Sequence, residues 1–406
     1  MMMTLASILS TGDLERAARR RLPPSVYGYV SGGSETESAL RGNRQAFDAW
    51  RFVPRFLVDV SRRSQATGLF GTQYAAPFGI APMGVAGICG FDGDLALARA
   101  AAAARVPFVL SGASTTPMER VLEQAPGSWF QAYVPSNREL IGALLARAER
   151  AGVPVLVVTV DVPIASTREV ELRNGFSLPL RLTPRLVAGG LARPRWLAQT
   201  FLRTLLRQGI PRFENFSAVR GNRIITAASG DHRAGRAALS WDDLAWVRDR
   251  WRGRLVIKGL LHPEDAGRAQ AIGADGIIVS NHGGRQLDGA QAPLDALPAI
   301  AAAAPRLAIM VDSGFRRGTD ILKALALGAD FVFIGRPAMY GLAVGGQAGV
   351  AHVLALLKRE IDVDLALLGC ADVAGLDRRH LVRPGPPSEF RIPSGDCSCP
   401  CSTPAI

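Results

Sequence analysis

The 406-residue chain has little of what marks a secreted or membrane-spanning protein. It has five cysteines: Cys89 and Cys370 stand alone, and Cys397, Cys399 and Cys401 crowd the tail. This spacing is no disulfide framework and favours a reducing, cytosolic compartment. The first ten residues lack the basic start and apolar core of a signal peptide. Because no uninterrupted apolar run reaches roughly 18 residues, we expect no transmembrane helix.

Acidic residues are scarce relative to basic ones, at 35 against 47, so the net charge is +12. This excess favours acidic surfaces, anionic lipid or phosphorylated ligands as partners, and we expect no nucleic-acid partner. Charged residues make up only 20% of the chain and hydrophobic ones 48%, which excludes wholesale disorder. The length allows two domains or one large barrel.

From Pro77 onward, short apolar runs alternate with Ala-rich or Leu-rich helical windows. Eight such pairs predict a (β/α)8 TIM barrel, because eight units suit closure and no Gly-x-Gly-x-x-Gly follows the first strand, as a doubly wound sheet would favour. The predicted strands are 78–82, 107–111, 129–134, 155–161, 255–258, 276–280, 308–312 and 331–335. The predicted helices lie near 93–105, 117–124, 137–150, 241–250, 263–272, 293–304, 318–327 and 346–360.

The remainder of the chain flanks this barrel, which we assign to residues 76–382. Helix signals at 13–22 and 36–48 predict an N-terminal helical cap over residues 1–75. Residues 383–406 are rich in Pro, Gly and Ser and predict a disordered tail. The Cys-x-Cys-x-Cys run within the tail could bind a soft metal, but no matching Cys or His pair lies nearby, so we predict no metal site.

A basic insertion, assigned to residues 175–236, follows the fourth predicted strand. Residues 175–223 contain nine arginines and one acidic residue, Glu214. Residues 196–207 have apolar side chains at 198, 201, 202 and 205, with Arg203 and Arg207 on another face. This pattern predicts an amphipathic helix that either lies in an anionic membrane surface or covers the barrel with a solvated basic face.

The predicted sixth strand runs into Ser-Asn-His-Gly-Gly-Arg-Gln-Leu-Asp at residues 280–288. His282 can move a proton near neutral pH, and Arg285 can bind a carboxylate through two hydrogen bonds. Both follow the carboxyl end of a strand, where chemistry is done in this kind of barrel. Gly-plus-Arg loops after the seventh and eighth strands, at 312–318 and 333–337, predict a phosphate site. Lys258 could stabilise negative charge on a reduced flavin.

These stretches resemble the FMN-dependent α-hydroxy-acid dehydrogenase/oxidase family, of which the 280–288 motif is a specific signature. The resemblance extends from around residue 10 to residue 380 and also includes Trp-Phe-Gln-Ala-Tyr-Val, Thr-Val-Asp-Val-Pro and Val-Ile-Lys-Gly. It implies an FMN cofactor, a 2-hydroxy-acid substrate and a homotetramer.

The resemblance also implies roles for individual residues. It makes His282 the catalytic base, Asp161 the carboxylate that holds and charges it, and Tyr133 the phenol that binds the substrate hydroxyl. The substrate carboxylate would lie among Tyr29, Arg168 and Arg285. The implied FMN contacts are Ala81, Pro82, Met83, Ser111, Gln131, Thr159, Lys258 and Ser280 at the ring, Asp312 at the ribityl chain, and Gly314, Arg316, Gly335 and Arg336 at the phosphate.

Two small residues bear on the substrate, since Gly84 and Ala113 leave room for an aromatic ring beside the flavin. With the basic insertion, they make the resemblance closest to family members that oxidise (S)-mandelate and pass electrons to a membrane quinone. We therefore expect a cytoplasmic enzyme bound peripherally to the inner face of the plasma membrane through residues 175–223. The alternatives are a quinone-linked L-lactate dehydrogenase, an O2-using oxidase of aryl 2-hydroxy acids and, in another class, an inactive flavin-binding membrane scaffold.

Overall fold

A closed barrel of eight parallel strands forms the centre of the computed structural model, which describes residues 4–135, 137–181, 183–226 and 235–384. The strands are β1 (Phe78–Ile80), β2 (Val109–Ser111), β3 (Trp129–Ala132), β4 (Val155–Thr159), β5 (Arg254–Leu260), β6 (Gly276–Val279), β7 (Ala308–Val311) and β8 (Phe331–Ile334). Each pairs with its neighbour in sequence, and β8 pairs with β1. A bridge between Ile80 and Phe108 joins the first strand to the second. The predicted TIM barrel is confirmed.

Eight helices follow these strands: α1 (Gly93–Ala104), α2 (Met118–Gln124), α3 (Arg138–Arg150), α4 (Trp241–Arg250), α5 (Pro263–Ala271), α6 (Pro293–Ala303), α7 (Gly318–Ala326) and α8 (Arg336–Leu368). Local chemistry sets their starts. Ser240 and Asp243 form a capping box at α4, and the Asn137 side chain accepts from the Leu140 amide at α3. The eighth helix begins ten residues before its predicted start near 346, and the chain bends there because Gly346 has φ +57°.

By length and composition alone, α8 is also long and apolar enough to span a membrane. Half of its most apolar 18-residue window is buried within the protein, however. Val353, Leu357, Ile361 and Leu365 are fully buried at the helical spacing of three to four residues. We interpret α8 as the last outer helix of the barrel, whose apolar stripe packs against the rest of the fold.

The apolar core has two layers. One lies between the strands and the outer helices. The other fills the barrel interior, where Trp129 packs edge-on against Phe333 at a centroid distance of 5.4 Å. A hairpin of Thr67–Leu69 and Thr72–Tyr74 inserts Leu69 and Phe70 into this layer. The barrel interior is therefore a packed core, which holds the ends of the strands in fixed positions.

The cap consists of the helices Thr11–Arg21, Pro24–Ser31 and Ser38–Asp48. The second lies outside the helix signals predicted at 13–22 and 36–48, because the pair Pro23-Pro24 also fits the end of a helix. Pro24 instead occupies the first helical position, where a missing N–H costs nothing. Shorter elements are the 3-10 turns Leu5–Ser7, Ala86–Ile88, Arg236–Ala238 and Arg378–His380, and an antiparallel pair formed by Arg51–Phe52 and Leu381–Val382.

A short helix, Glu169–Arg173, precedes the insertion, which forms the helices Pro184–Leu191, Pro194–Trp196 and Arg203–Gln208, with a π-helix over Leu197–Leu202. Trp196 and Thr200 of the run from 194 to 208 are buried, and the Trp196 indole donates to Ile88 O at 2.7 Å. Leu202 and Leu206 point outward, with 44% and 85% exposure. The helix thus both covers the barrel and presents apolar side chains outward. Residues 227–234 and 385–406 lie outside the described residues, and with them most of the predicted disordered tail, including Cys397, Cys399 and Cys401.

Candidate active site

His282 and Asp161 meet at the carboxyl ends of β6 and β4. The Nδ1 atom of His282 lies 2.9 Å from Oδ1 of Asp161. His282 has φ +58° and begins the turn that Gly283 and Gly284 continue at φ +67° and +73°. A Cβ on Gly259, which has φ +109°, would lie 2.6 Å from the Asp161 Cβ, so this glycine makes room for the carboxylate. Two predicted residues that stand 121 positions apart are thus brought together.

The pKa values of this pair suit a base and its supporting anion. Burial lowers the pKa of His282 below its ordinary value, although the Asp161 carboxylate opposes that effect. Burial alone would raise the pKa of Asp161, but the charge of His282 when it is protonated, the charge of Lys258 and the hydrogen bond with His282 outweigh burial and hold that pKa below its ordinary value. At neutral pH, therefore, His282 is uncharged and Asp161 is ionised, and an imidazolium formed during reaction would have its counterion in place.

Lys258, two residues before the end of β5, is 3% exposed, and its ammonium group contacts two side chains. Its Nζ donates to Ser280 Oγ at 2.8 Å and lies 3.0 Å from Oδ2 of Asp312. Burial would lower the pKa of Lys258, yet Asp312 and Asp161 raise it above its ordinary value. A buried ammonium is thus kept charged at the floor of the site, where it can stabilise an anion.

Polar atoms beside this lysine have no partner within the described part of the chain. Gln131 Nε2 and Thr159 Oγ1 are buried and make no hydrogen bond. Gln131 Oε1 accepts from Ser111 Oγ at 3.2 Å and from the Gly112 amide at 3.3 Å. Because buried polar groups are normally paired, the two atoms fit a polar ring edge such as that of FMN.

The loops after β7 and β8 place two arginines together. Burial, and then the charge of Arg316, lowers the pKa of Arg336 to about 9. The Arg336 side chain donates to the carbonyl oxygens of Val30, Gly283 and Gly32 at 3.0, 2.9 and 2.8 Å. It therefore ties the cap to the barrel, and both Arg336 and Arg316 line the cavity, where their charges are available to an anion. The demand for negative charge here fits a phosphate.

A second cluster of charge lies across the cavity. Arg285 NH1 donates to Tyr29 O at 2.7 Å and Gly32 O at 2.9 Å, and the Arg285 guanidinium lies 5.0 Å from the centroid of the Tyr29 ring. Arg168 Nε donates to Arg285 O at 3.2 Å. A carboxylate that we did not predict, Glu171, contacts Arg285 at 2.6 Å. Its only sequence signal was its position three residues after Arg168.

Most of these groups line one cavity of about 760 Å³, whereas the predicted residues Asp161, Ser111, Gln131, Thr159 and Ser280 lie outside its lining. Gly84 and Ala113 stand together in its wall: a Cβ on Gly84 would lie 3.0 Å from the Ala113 Cβ and 3.4 Å from the Tyr29 hydroxyl. The insertion contributes an aromatic side that we did not predict, formed by Phe176, Phe213 and Phe216. The other predicted residues in the lining are Ala81, Pro82, Met83, Tyr133, Arg168, Lys258, His282, Arg285, Asp312, Gly314, Arg316, Gly335 and Arg336.

Known proteins resemble the chain over most of its length. The sequence model described as FMN-dependent dehydrogenase matches residues 18–383. An (S)-mandelate dehydrogenase of Pseudomonas putida is 42% identical over 93% of this chain and 95% of its own, and an L-lactate oxidase of Nostoc is 40% identical over 94% and 100%. The crystal structure of monotopic membrane protein (S)-mandelate dehydrogenase superposes with a TM-score of 0.86 at 42% identity, covering 93% of this chain and 100% of that one.

Proposed function

Because the chain belongs to the FMN-dependent dehydrogenase family, we propose that it oxidises (S)-mandelate, or a close aryl relative, to the 2-oxo acid. FMN-dependent oxidation of a 2-hydroxy acid is the reaction of the family, and the chain carries it out. The aryl preference is the finer claim. One observation carries it: the small residues Gly84 and Ala113 line the same cavity as Phe176, Phe213 and Phe216, so an aromatic ring bound there would have space and aromatic side chains to contact.

In this proposal, each site residue has its own role in binding or proton transfer. Arg168 and Arg285 bind the substrate carboxylate, and Tyr133 hydrogen-bonds the hydroxyl. Because Nδ1 of His282 is held by Asp161, Nε2 is the nitrogen that takes the substrate proton. Asp161 stabilises the imidazolium that results. FMN, when bound, accepts the two electrons.

FMN would be held by residues on three sides. Gln131, Thr159, Lys258 and Ser280 suit the edge of the ring, with Ser111 and residues 81–83 beside it. Asp312 serves the ribityl chain in this proposal, and its carboxylate already accepts from Ser313 Oγ at 2.9 Å. The phosphate would lie at Gly314, Arg316, Gly335 and the start of α8. Lys258 keeps a positive charge at the ring edge, where electrons arrive.

We further propose that the insertion binds an anionic membrane surface and that the electron acceptor is a membrane quinone. Leu191, Leu202 and Leu206 are 65%, 44% and 85% exposed on the insertion. Arginines lie among them at 193, 195, 203 and 207. Apolar side chains that can enter lipid, next to cations that can meet its headgroups, support this location. The proposal places the enzyme on the cytoplasmic face of the plasma membrane.

A homotetramer is proposed on the family resemblance. Phe56, Leu57 and Leu367, which are 76%, 106% and 63% exposed, support contact with further copies.

L-Lactate is the second candidate substrate, favoured by the 40% identity to an L-lactate oxidase. Competition between the two acids tests the proposal: the initial rate of anaerobic flavin bleaching is measured with (S)-mandelate and with L-lactate. We expect kcat/KM for (S)-mandelate to exceed that for L-lactate by about tenfold or more, since burying a phenyl group is worth more than roughly 1.4 kcal/mol. A higher value for L-lactate would assign the chain to the second candidate.

A further inference from the structure

The carboxylate site of this protein contains a carboxylate of its own. Glu171 belongs to the short helix Glu169–Arg173, which starts directly after Arg168. Its side chain is 12% exposed. The helix brings Glu171 onto the same face as Arg168, three residues earlier, and turns both toward the cavity, which they line.

Glu171 contacts both arginines that would bind the substrate. Its Oε1 lies 2.6 Å from NH2 of Arg285 and 3.6 Å from NH1 of Arg168. Among the residues that the structure describes, no other carboxylate lies within 4.0 Å of either guanidinium. Other donors of the two guanidinium groups contact neutral groups: Arg285 NH1 donates to the carbonyls of Tyr29 and Gly32, and Arg168 NH2 donates to Gln286 Oε1 at 3.1 Å.

The balance of charge follows from this arrangement. Two guanidinium groups and one carboxylate leave one net positive charge, so a single substrate carboxylate neutralises the cluster. A second negative charge beside these two arginines would exceed the positive charge of the cluster and face Glu171, at a partly buried site where repulsion is weakly screened. Without Glu171, the same arginines could accept two negative charges.

We propose that Glu171 is a positioning and specificity residue that holds Arg168 and Arg285 in place and restricts the site to acids with one negative charge. This inference rests on the proposed 2-hydroxy-acid function. It identifies the substrate class as monoanionic 2-hydroxy acids, with 2-hydroxy dicarboxylates excluded by charge rather than by size.

Oxamate and oxalate test the proposal, because they have nearly the same shape and differ by one negative charge. The dissociation constant of each is measured from the change that it causes in the flavin absorption of the FMN-loaded protein. Wild type should bind oxamate more tightly than oxalate. In Glu171→Gln the preference for oxamate should fall by about tenfold or more, since removing a like charge a few ångströms away is worth at least roughly that factor.

Two further variants distinguish the effect of the Glu171 charge from an effect of the substitution on folding. Glu171→Asp keeps the charge, so it should keep the wild-type preference for oxamate even if its shorter side chain weakens both ligands. Glu169→Gln removes the carboxylate of an exposed pair with Arg173 on the same helix and should change nothing. An unchanged preference in Glu171→Gln, or an equal loss in Glu171→Asp, would overturn the inference alone. If wild type binds neither ligand, the proposed function is overturned and the inference with it.

Discussion

Removal of the charge on Asp161 is the most informative perturbation of the proposed base. Asp161→Asn preserves shape and leaves an amide 2.9 Å from Nδ1 of His282. An imidazolium and a carboxylate roughly 4 Å apart interact by about 4 kcal/mol at an effective dielectric constant of ~20. At about 1.4 kcal/mol per factor of ten, this corresponds to a loss of roughly 100-fold to 1000-fold in the rate of flavin reduction.

The pH dependence of Asp161→Asn distinguishes a charge effect from a general disturbance. His282 must be neutral to take a proton, so kcat/KM rises with pH through the pKa of His282 in the free enzyme. Burial lowers that pKa and Asp161 raises it. Without the carboxylate the pKa falls further, so the acid limb of the profile should move to lower pH while the plateau drops.

Stopped-flow reduction with (S)-mandelate across the pH range measures both quantities. FMN content should stay at the wild-type level, because Asp161 is proposed to act on His282 rather than on the cofactor. Asp249→Asn, on the exposed side of α4, is the matched control and should leave the profile unchanged. A plateau at the wild-type rate, or an acid limb that moves to higher pH, would refute the reasoning.

Three further outcomes are expected. Thr159→Val should leave the stability of the FMN-free protein unchanged, because the Thr159 hydroxyl has no hydrogen-bond partner there. It should raise the Kd for FMN by roughly 5-fold to 10-fold, the effect of one lost hydrogen bond. An unchanged Kd in an FMN titration would contradict this prediction. Gly84→Ala should lower kcat/KM for (S)-mandelate relative to L-lactate by about tenfold, since the new methyl group lies 3.0 Å from the Ala113 Cβ, whereas Gly142→Ala on α3 should not alter the ratio. The double variant Leu202→Ser, Leu206→Ser should bind anionic vesicles about tenfold or more weakly in co-sedimentation, because each leucine contributes roughly 1.5 kcal/mol or more. Its turnover of a soluble dye should not change. Leu140, which is 52% exposed on α3, provides the control variant Leu140→Ser, and equal sedimentation of the double variant and wild type would count against the membrane proposal.

The fold could be predicted because its signals are local. Each barrel strand is an apolar run followed by a helical window. Because parallel strands joined by helices form only a few topologies, eight such units favour a closed barrel. The helix Pro24–Ser31 escaped prediction because one proline can either end a helix or start one. The sequence did not predict the direction of the Arg336 side chain either, because carbonyl groups from the cap and from the loop after β6 set that direction.

The candidate site was predictable to the extent that its residues follow strand ends. His282 and Asp312 follow strand ends, Lys258 lies two residues before one, and all three line the same cavity. Phe213 and Phe216 belong to the insertion, whose arginine-rich composition predicted a positively charged surface. No sequence pattern indicated that these two side chains would line the cavity. Glu171 was missed for another reason: an acidic residue three positions after an arginine usually forms a surface pair, and only the fold shows that Arg285 completes the cluster.

Anaerobic mixing of the FMN-loaded protein with (S)-mandelate tests the central claim most directly, with His282→Ala measured alongside wild type. We expect wild type to be a yellow protein whose flavin absorption bleaches on mixing, and His282→Ala to keep its FMN without bleaching. A colourless wild-type protein, or one that no 2-hydroxy acid bleaches, would contradict the function. Bleaching of His282→Ala at the wild-type rate, or loss of its flavin, would contradict the role of His282 as the base.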